Sequence, residues 1–216
     1  MNHPEDYDSI LAALHEEIGA GLPGVTAQLR MSFPSRERRE LMSVSGRQCA
    51  EAGVLVLVTS VGGRAHVLLT VRKTTLARHP GQISFPGGRR EANEDLLTTA
   101  LRETEEEVNV QPAAVRVIGA LTPLYIPPSG YCVYPFLGSS TGITPIADER
   151  EVDRILQIPV ADLLSGSLMQ HHTRSFRGTP VEVPCFNAGG DIIWGATAMI
   201  LSEVIALLER HVPACD

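Results

Sequence analysis

At 216 residues, with 44% hydrophobic and 20% charged residues, the chain is long enough for one full domain and short for two. This composition excludes a disordered polypeptide. A net charge of −7 removes the basic field that a nucleic acid or an anionic membrane asks of its partner, so neither is expected. The acidic start, MNHPEDYDSI, has no apolar leader, and no run approaches the roughly 18 apolar residues of a membrane span. A cytoplasmic protein is the expectation. Cys49, Cys132, Cys185 and Cys215 are scattered without C-x₂-C pairing, which excludes a zinc site and predicts buried or idle thiols.

Apolar residues Ile10, Leu11, Leu14 and Ile18 recur at helical spacing and stop at Gly19 and Gly21, predicting a helix over about residues 6–22. Residues 31–49 are polar and irregular, so residues 1–50 read as a helix plus an extended connection packed on a main domain of 51–211. Residues 212–216 read as a tail. The Val- and Leu-rich runs 52–60 and 66–72 flank Gly62-Gly63 and predict a hairpin. Further strands are predicted over 82–85, 115–121, 131–138, 154–160 and about 180–186, and helices over 93–108, 160–165 and about 194–210. Strands interrupted by a few helices point to a layered α/β or α+β domain.

Charge is unevenly placed. Arg64, Arg72, Lys73, Arg78, Arg89 and Arg90 fall in a stretch without acids, and Glu91, Glu94, Asp95, Glu103, Glu105, Glu106 and Glu107 follow at once. A metal-bound polyphosphate needs both, since the anion takes cationic donors and the cation takes carboxylate oxygens. A solvated surface of mixed charge is the plainer alternative. On a helical wheel of 93–108, Leu97, Leu101, Thr104 and Val108, with Ala100 at the edge, predict the core side. Glu103, Glu106 and Glu107, related as i, i+3 and i+4, predict an acidic patch opposite. Crowded like charges near a helix C-terminus each cost about 0.3–1 kcal/mol, which a hard divalent cation would offset.

The stretch GRREANEDLLTTALRETEEEVNV resembles the Nudix box, G-x₅-E-x₇-R-E-U-x-E-E-x-G-U with U apolar: Gly88, Glu94, Arg102, Glu103, Glu106, Glu107 and Val110 occupy its fixed positions. Thr104 stands where an apolar residue is usual and Asn109 where Gly is usual; Asn tolerates the left-handed cap that Gly provides. The resemblance implies an α/β/α sandwich with a mixed sheet, acting as a Mg²⁺- or Mn²⁺-dependent diphosphatase. It implies a metal on Glu103, Glu106 and Glu107 with Glu94 assisting from the loop, and Arg102 orienting a glutamate. Several acids sharing one site titrate together, so the general base stays open among them. Glu151, in DEREV, is a further candidate ligand or base, with an exposed loop acid as the alternative.

Upstream, LLTVRKTTLARHPGQISFPGG resembles the coenzyme A pyrophosphatase branch, L-L-T-x-R-[SA]-x₃-R-x₃-G-x₃-F-P-G-G, with Lys73 in place of the small residue and Ala77 in place of the second arginine beside Arg78. The resemblance implies cleavage of coenzyme A or a derivative to 3′,5′-ADP and 4′-phosphopantetheine. Arg72, Arg78, His79, Phe85, Gly87 and Gly88 are the candidate substrate contacts; His79 before Pro80 reads equally as a turn residue. ADP-ribose, dinucleotides or other nucleoside diphosphate derivatives are the rival substrates, and a non-catalytic ligand-sensing domain the rival class. The expected partner is a small-molecule diphosphate, and a homodimer is compatible with the sequence. Trp194 is expected to start the last helix and pack in the core.

Overall fold

A computed structural model describes residues 6–32, 43–75, 81–127, 129–176 and 178–211. Strands β1 (Ala50–Val61) and β2 (Arg64–Arg72) form the expected hairpin, with Leu57 opposite Leu68 and Val61 opposite Arg64. Its turn residues Gly62 and Gly63 have φ of 59° and 80°, the left-handed pair that a tight hairpin turn matched to strand twist requires. Beyond Leu57 the two strands part. The gap is filled by β3 (Ile83–Ser84) on β2 and β4 (Gly87–Arg89) on β1.

On its other side β1 runs parallel to β7 (Tyr131–Ser140), which also carries β5 (Arg116–Ala120) and β6 (Leu124–Ile126). Strand β8 (Val152–Pro159) lies on the outer side of β2, so the sheet is mixed and eight-stranded. A smaller sheet contains β9 (Met169–Phe176), β10 (Thr179–Ala188) and β11 (Asp191–Ile193).

Alternation along β1 builds the two layers. Leu55 and Leu57 pack with Ala100, Val108 and Val110 of helix α3 (Leu96–Val108) and the turn after it. Val56 and Val58 enter a larger core with α1 (Tyr7–Ala20) and α5 (Gly195–Glu209) on the opposite face. The result is the expected α/β/α arrangement with a mixed sheet. Two short helices, α2 (Val25–Gln28) and α4 (Val160–Leu164), complete it.

The strands that the sequence does not announce, β4, β6, β9 and β11, are short or polar. In β9, Met169, His171 and Thr173 are exposed, so no apolar alternation marks it. Trp194 does precede α5, but half-buried, with the Arg174 guanidinium 4.2 Å from its ring centroid.

The N-terminal segment is tied in by a buried acid. Glu203 of α5, fully enclosed, accepts from Gly24 N (3.2 Å), Gln28 Nε2 (2.9 Å) and Thr122 Oγ1 (2.6 Å). These donors satisfy both oxygens of an acid that the core encloses.

The expectation of idle thiols fails for two of the four cysteines. Cys49 and Cys132 form a disulfide with a Cα separation of 5.8 Å, while Cys185 is a free buried thiol and Cys215 lies outside the described residues. Parallel pairing of Ala50 with Tyr131 and Glu51 with Cys132 brings the two together across 83 residues, a proximity that only the tertiary fold creates. Disulfides persist chiefly in oxidising compartments, so this bond weighs against the cytoplasmic expectation. No described helix is long and apolar enough to cross a membrane. Cys49→Ser lowers unfolding stability by about 2–4 kcal/mol, read as a lower urea midpoint under non-reducing conditions. Dithiothreitol lowers the parent's midpoint to match and leaves the variant's where it was; equal midpoints without reductant would remove the bond from the stability of the fold.

Candidate active site

Helix α3 begins later than its periodicity suggests. Asn93 takes a left-handed conformation (φ 72°), and Asp95 caps the first turn by accepting from Thr98 N at 2.8 Å. The helix ends at Asn109 (φ 55°, ψ 36°), whose N–H reaches Glu105 O at 2.9 Å, as the Gly-to-Asn exchange predicts. Thr104 is fully buried and satisfies its hydroxyl on Ala100 O at 2.6 Å.

The buried face is rotated from the one drawn on the wheel. Thr99, Ala100, Thr104, Glu107 and Val108 are enclosed, while Leu97 and Leu101 are only half-buried. The cause is Gly53, since any Cβ there would run into Leu96 O and Ala100 N. Glu107 lies inward beside the sheet, and of Glu103, Glu106 and Glu107 only Glu106 is exposed.

Arg102 gathers the acids. Its guanidinium meets Glu94 Oε1 (3.0 Å), Glu103 Oε1 (2.9 Å) and Glu106 Oε2 (3.3 Å), and donates to Arg89 O at 3.5 Å. Glu94 also accepts from Glu91 N (2.9 Å) and from Thr99 Oγ1 (2.9 Å), a partner that sequence reading missed. With both oxygens engaged, Arg102 foremost holds the Glu94 carboxyl at about 2. This geometry makes Glu94 the brace of Arg102.

Glu107 is the buried member. Burial pushes its carboxyl up to about 8, against the pull of Arg72 at 3.5 Å, and Oε2 has no hydrogen-bond partner. Burial also raises Glu103, against the nearby charge of Arg102. Two desolvated acids one turn apart, one with an orphaned oxygen, fit a hard divalent cation that takes one or two carboxylates and leaves positions for water and phosphate. Among the described residues no three acids converge into a preassembled cage.

Glu151 reaches this group from a loop that is fixed at both ends. Ile146 N and Asp148 N donate to Val108 O and Glu107 O, each at 2.9 Å, which satisfies carbonyls at the end of α3. Lys73 N donates to Glu151 O at 2.9 Å, and Arg72 spans to Glu151 Oε2 at 3.5 Å. Nothing in the sequence announced that Asp148 would dock this loop.

The FPGG turn plays a different part from the one expected. Phe85 is buried in the main core and cannot touch a substrate with its ring. Pro86 O accepts from Leu55 N at 2.9 Å, and Gly87 (φ 151°) presses on Gly53 O and Val54, so it serves the join between β1 and β4. A Cβ on Gly88 would fall on the Glu103 carboxylate. Its absence makes the seat of that acid. Arg72 binds two carboxylates here instead of standing free for phosphate; Arg78 and His79 lie outside the described residues. A cleft of about 480 Å³ opens against Glu103 and is lined by Arg89, Arg90, Glu91 and Ala92.

A sandwich that presents partly desolvated glutamates on one helix, beside a cleft lined by both arginines and glutamates, has the makings of a metal-dependent hydrolase for phosphoric anhydrides. The chain belongs to the Nudix family: the NUDIX domain matches residues 50–178. It is similar to the mitochondrial coenzyme A diphosphatase NUDT8 of Homo sapiens, 36% identical over 183 residues, covering 80% of this chain and 77% of that one. The Nudix hydrolase NudL of Photorhabdus laumondii is 37% identical over 140 residues, 64% of this chain and 74% of its own. The crystal structure of the Nudix hydrolase RenU from M. smegmatis superposes with a TM-score of 0.51 at 15% identity, over 82% of this chain and 97% of that one, a likeness of fold. The protein is a Nudix hydrolase, of a family that acts on small-molecule diphosphates with divalent metal ions.

Proposed function

We propose that this enzyme hydrolyses the diphosphate of coenzyme A or its derivatives, using Mg²⁺ or Mn²⁺, to 3′,5′-ADP and 4′-phosphopantetheine. The observation that carries the reading is the similarity to a coenzyme A diphosphatase over 80% of the chain. Arg72 of the LLTVR segment and Gly88 of the FPGG segment support it, since both meet the glutamates. Residues 51–211 act as one domain, with the N-terminal helices against it.

When bound, the cation neutralises diphosphate oxygens and acidifies water. Glu103 and Glu107 would hold it, with Glu106 closing from the solvent side. Arg102, braced by Glu94, keeps Glu103 and Glu106 aimed. Water attacks phosphorus, its proton passes to a carboxylate of the site, with Glu151 as one candidate base, and the bridging P–O bond breaks to leave two phosphate-bearing products.

Product analysis with Mg²⁺ tests the substrate. Release of 3′,5′-ADP from coenzyme A well above the rate on ADP-ribose is the expected result. Comparable or faster turnover of ADP-ribose or dinucleotides would replace the substrate, and no metal-dependent activity on any diphosphate would leave a ligand-sensing domain.

A further inference from the structure

The arginines around the site are nearly all spoken for. Arg72 holds Glu107 and Glu151, and Arg102 holds Glu94, Glu103 and Glu106. Arg90 pairs with Glu51 at 2.7 Å, and Arg150 and Arg154 pair with Asp148 and Asp191. Arg89 is the exception in the cleft. Its side chain is exposed and has no carboxylate within ion-pair distance among the described residues.

Its main chain, by contrast, is held on both sides. Arg89 stands opposite Ala52 in the pairing of β4 with β1, and its carbonyl accepts from Arg102 Nη2. Arg90 N donates to Glu51 O at 2.9 Å just beyond. The guanidinium is therefore, among the described residues, an unpaired multivalent donor on a fixed base, in the wall of the cleft that reaches Glu103. Such a fork suits a phosphate dianion.

A second anion needs a cation of its own here. Glutamates crowd the hydrolytic centre and Glu91 and Glu103 line this cleft as well, so a phosphomonoester carried by the substrate outside the diphosphate is repelled unless a cation offsets them. Lys73 lies on the Glu151 side, where its positive charge already acts on Asp148.

We infer that the cleft lined by Arg89, Arg90, Glu91, Ala92 and Glu103 is a subsite for a phosphomonoester of the substrate, gripped by Arg89. In the reading proposed above, on which this rests, that group is the 3′-phosphate of the coenzyme A ribose. Arg89 thereby selects substrates that carry a phosphate beyond the bond being cut.

The test compares the parent, Arg89→Gln and Arg89→Lys on coenzyme A and on dephosphocoenzyme A, with binding of adenosine 3′,5′-bisphosphate and of AMP measured by calorimetry. Loss of a charge-assisted contact predicts that selectivity in kcat/KM for coenzyme A over its dephospho form falls about 10-fold or more in Arg89→Gln. The preference of the parent for the bisphosphate over AMP falls by a similar factor, and Arg89→Lys recovers part of both. An exposed position predicts unchanged thermal midpoints, which separates this result from misfolding. Equal losses on both substrates, or a parent that binds AMP as tightly as the bisphosphate, overturn the inference. A parent that cleaves neither coenzyme A species defeats the substrate reading, and the calorimetry still decides the subsite.

Discussion

Glu107→Gln loses hydrolytic activity by on the order of 10²–10⁴-fold while the protein stays folded, and without metal it becomes more stable than its parent in alkaline solution. The second half follows from burial. A carboxyl ordinarily near 4.5 that is pushed up to about 8 holds its proton in the folded protein and releases it in the unfolded chain across that window. Metal-free parent protein therefore loses stability as pH rises from about 4.5 to about 8, and the loss is complete above 8. Below 4.5 both states are protonated and the difference vanishes. Its size is on the order of a few kcal/mol, set by desolvation of a side chain that is 6% exposed.

A divalent cation reverses the sign by giving the charged form a partner. Mg²⁺ should therefore raise the parent's thermal midpoint more at pH 8.5 than at pH 5.5, and should release a proton on binding at pH 6–7. Gln at 107 is neutral throughout, so its stability falls less steeply across the window than the parent's and gains less from Mg²⁺. Thermal midpoints at both pH values with and without metal, beside kcat, decide the matter. A variant that keeps the parent's pH slope would show that another group carries the buried charge.

Gly88→Ala should lower kcat/KM by about 10²-fold without unfolding the protein. Its φ is not positive, so alanine costs the backbone little, and β4 keeps its pairing with β1. The methyl lands on the Glu103 carboxylate, which must leave the seat that Arg102 aims it into. Metal affinity should weaken as well, by about 10–100-fold, the usual effect of misplacing a ligand's support. Shortening the acid in Gly88→Ala/Glu103→Asp should recover part of the loss. A Gly88→Ala enzyme with parental activity would show that the glycine is there for the turn alone.

Much of this site was legible in one dimension. Glu103, Glu106, Glu107 and Arg102 lie within one helical stretch, and spacing along a helix fixes which side chains are neighbours. The left-handed cap at Asn109 and the Gly62-Gly63 turn are equally local, and each took the form expected, whereas the cap at Asp95 went unread and the helix starts three residues late. Phe85 was misjudged for the complementary reason: a motif names a position, and only packing shows that its ring enters the core.

The acidic helix with which the chemistry begins was thus determined by the sequence itself, because side-chain periodicity and capping act within a few residues. Tertiary structure decided what that helix became. Packing against the sheet set Glu107 inward, the loop at Asp148 delivered Glu151, and parallel pairing of β1 with β7 closed the Cys49–Cys132 bond. Burial and long-range pairing depend on segments far apart in the chain, and it is burial that sets the proton affinity of Glu107 and leaves its oxygen for a cation.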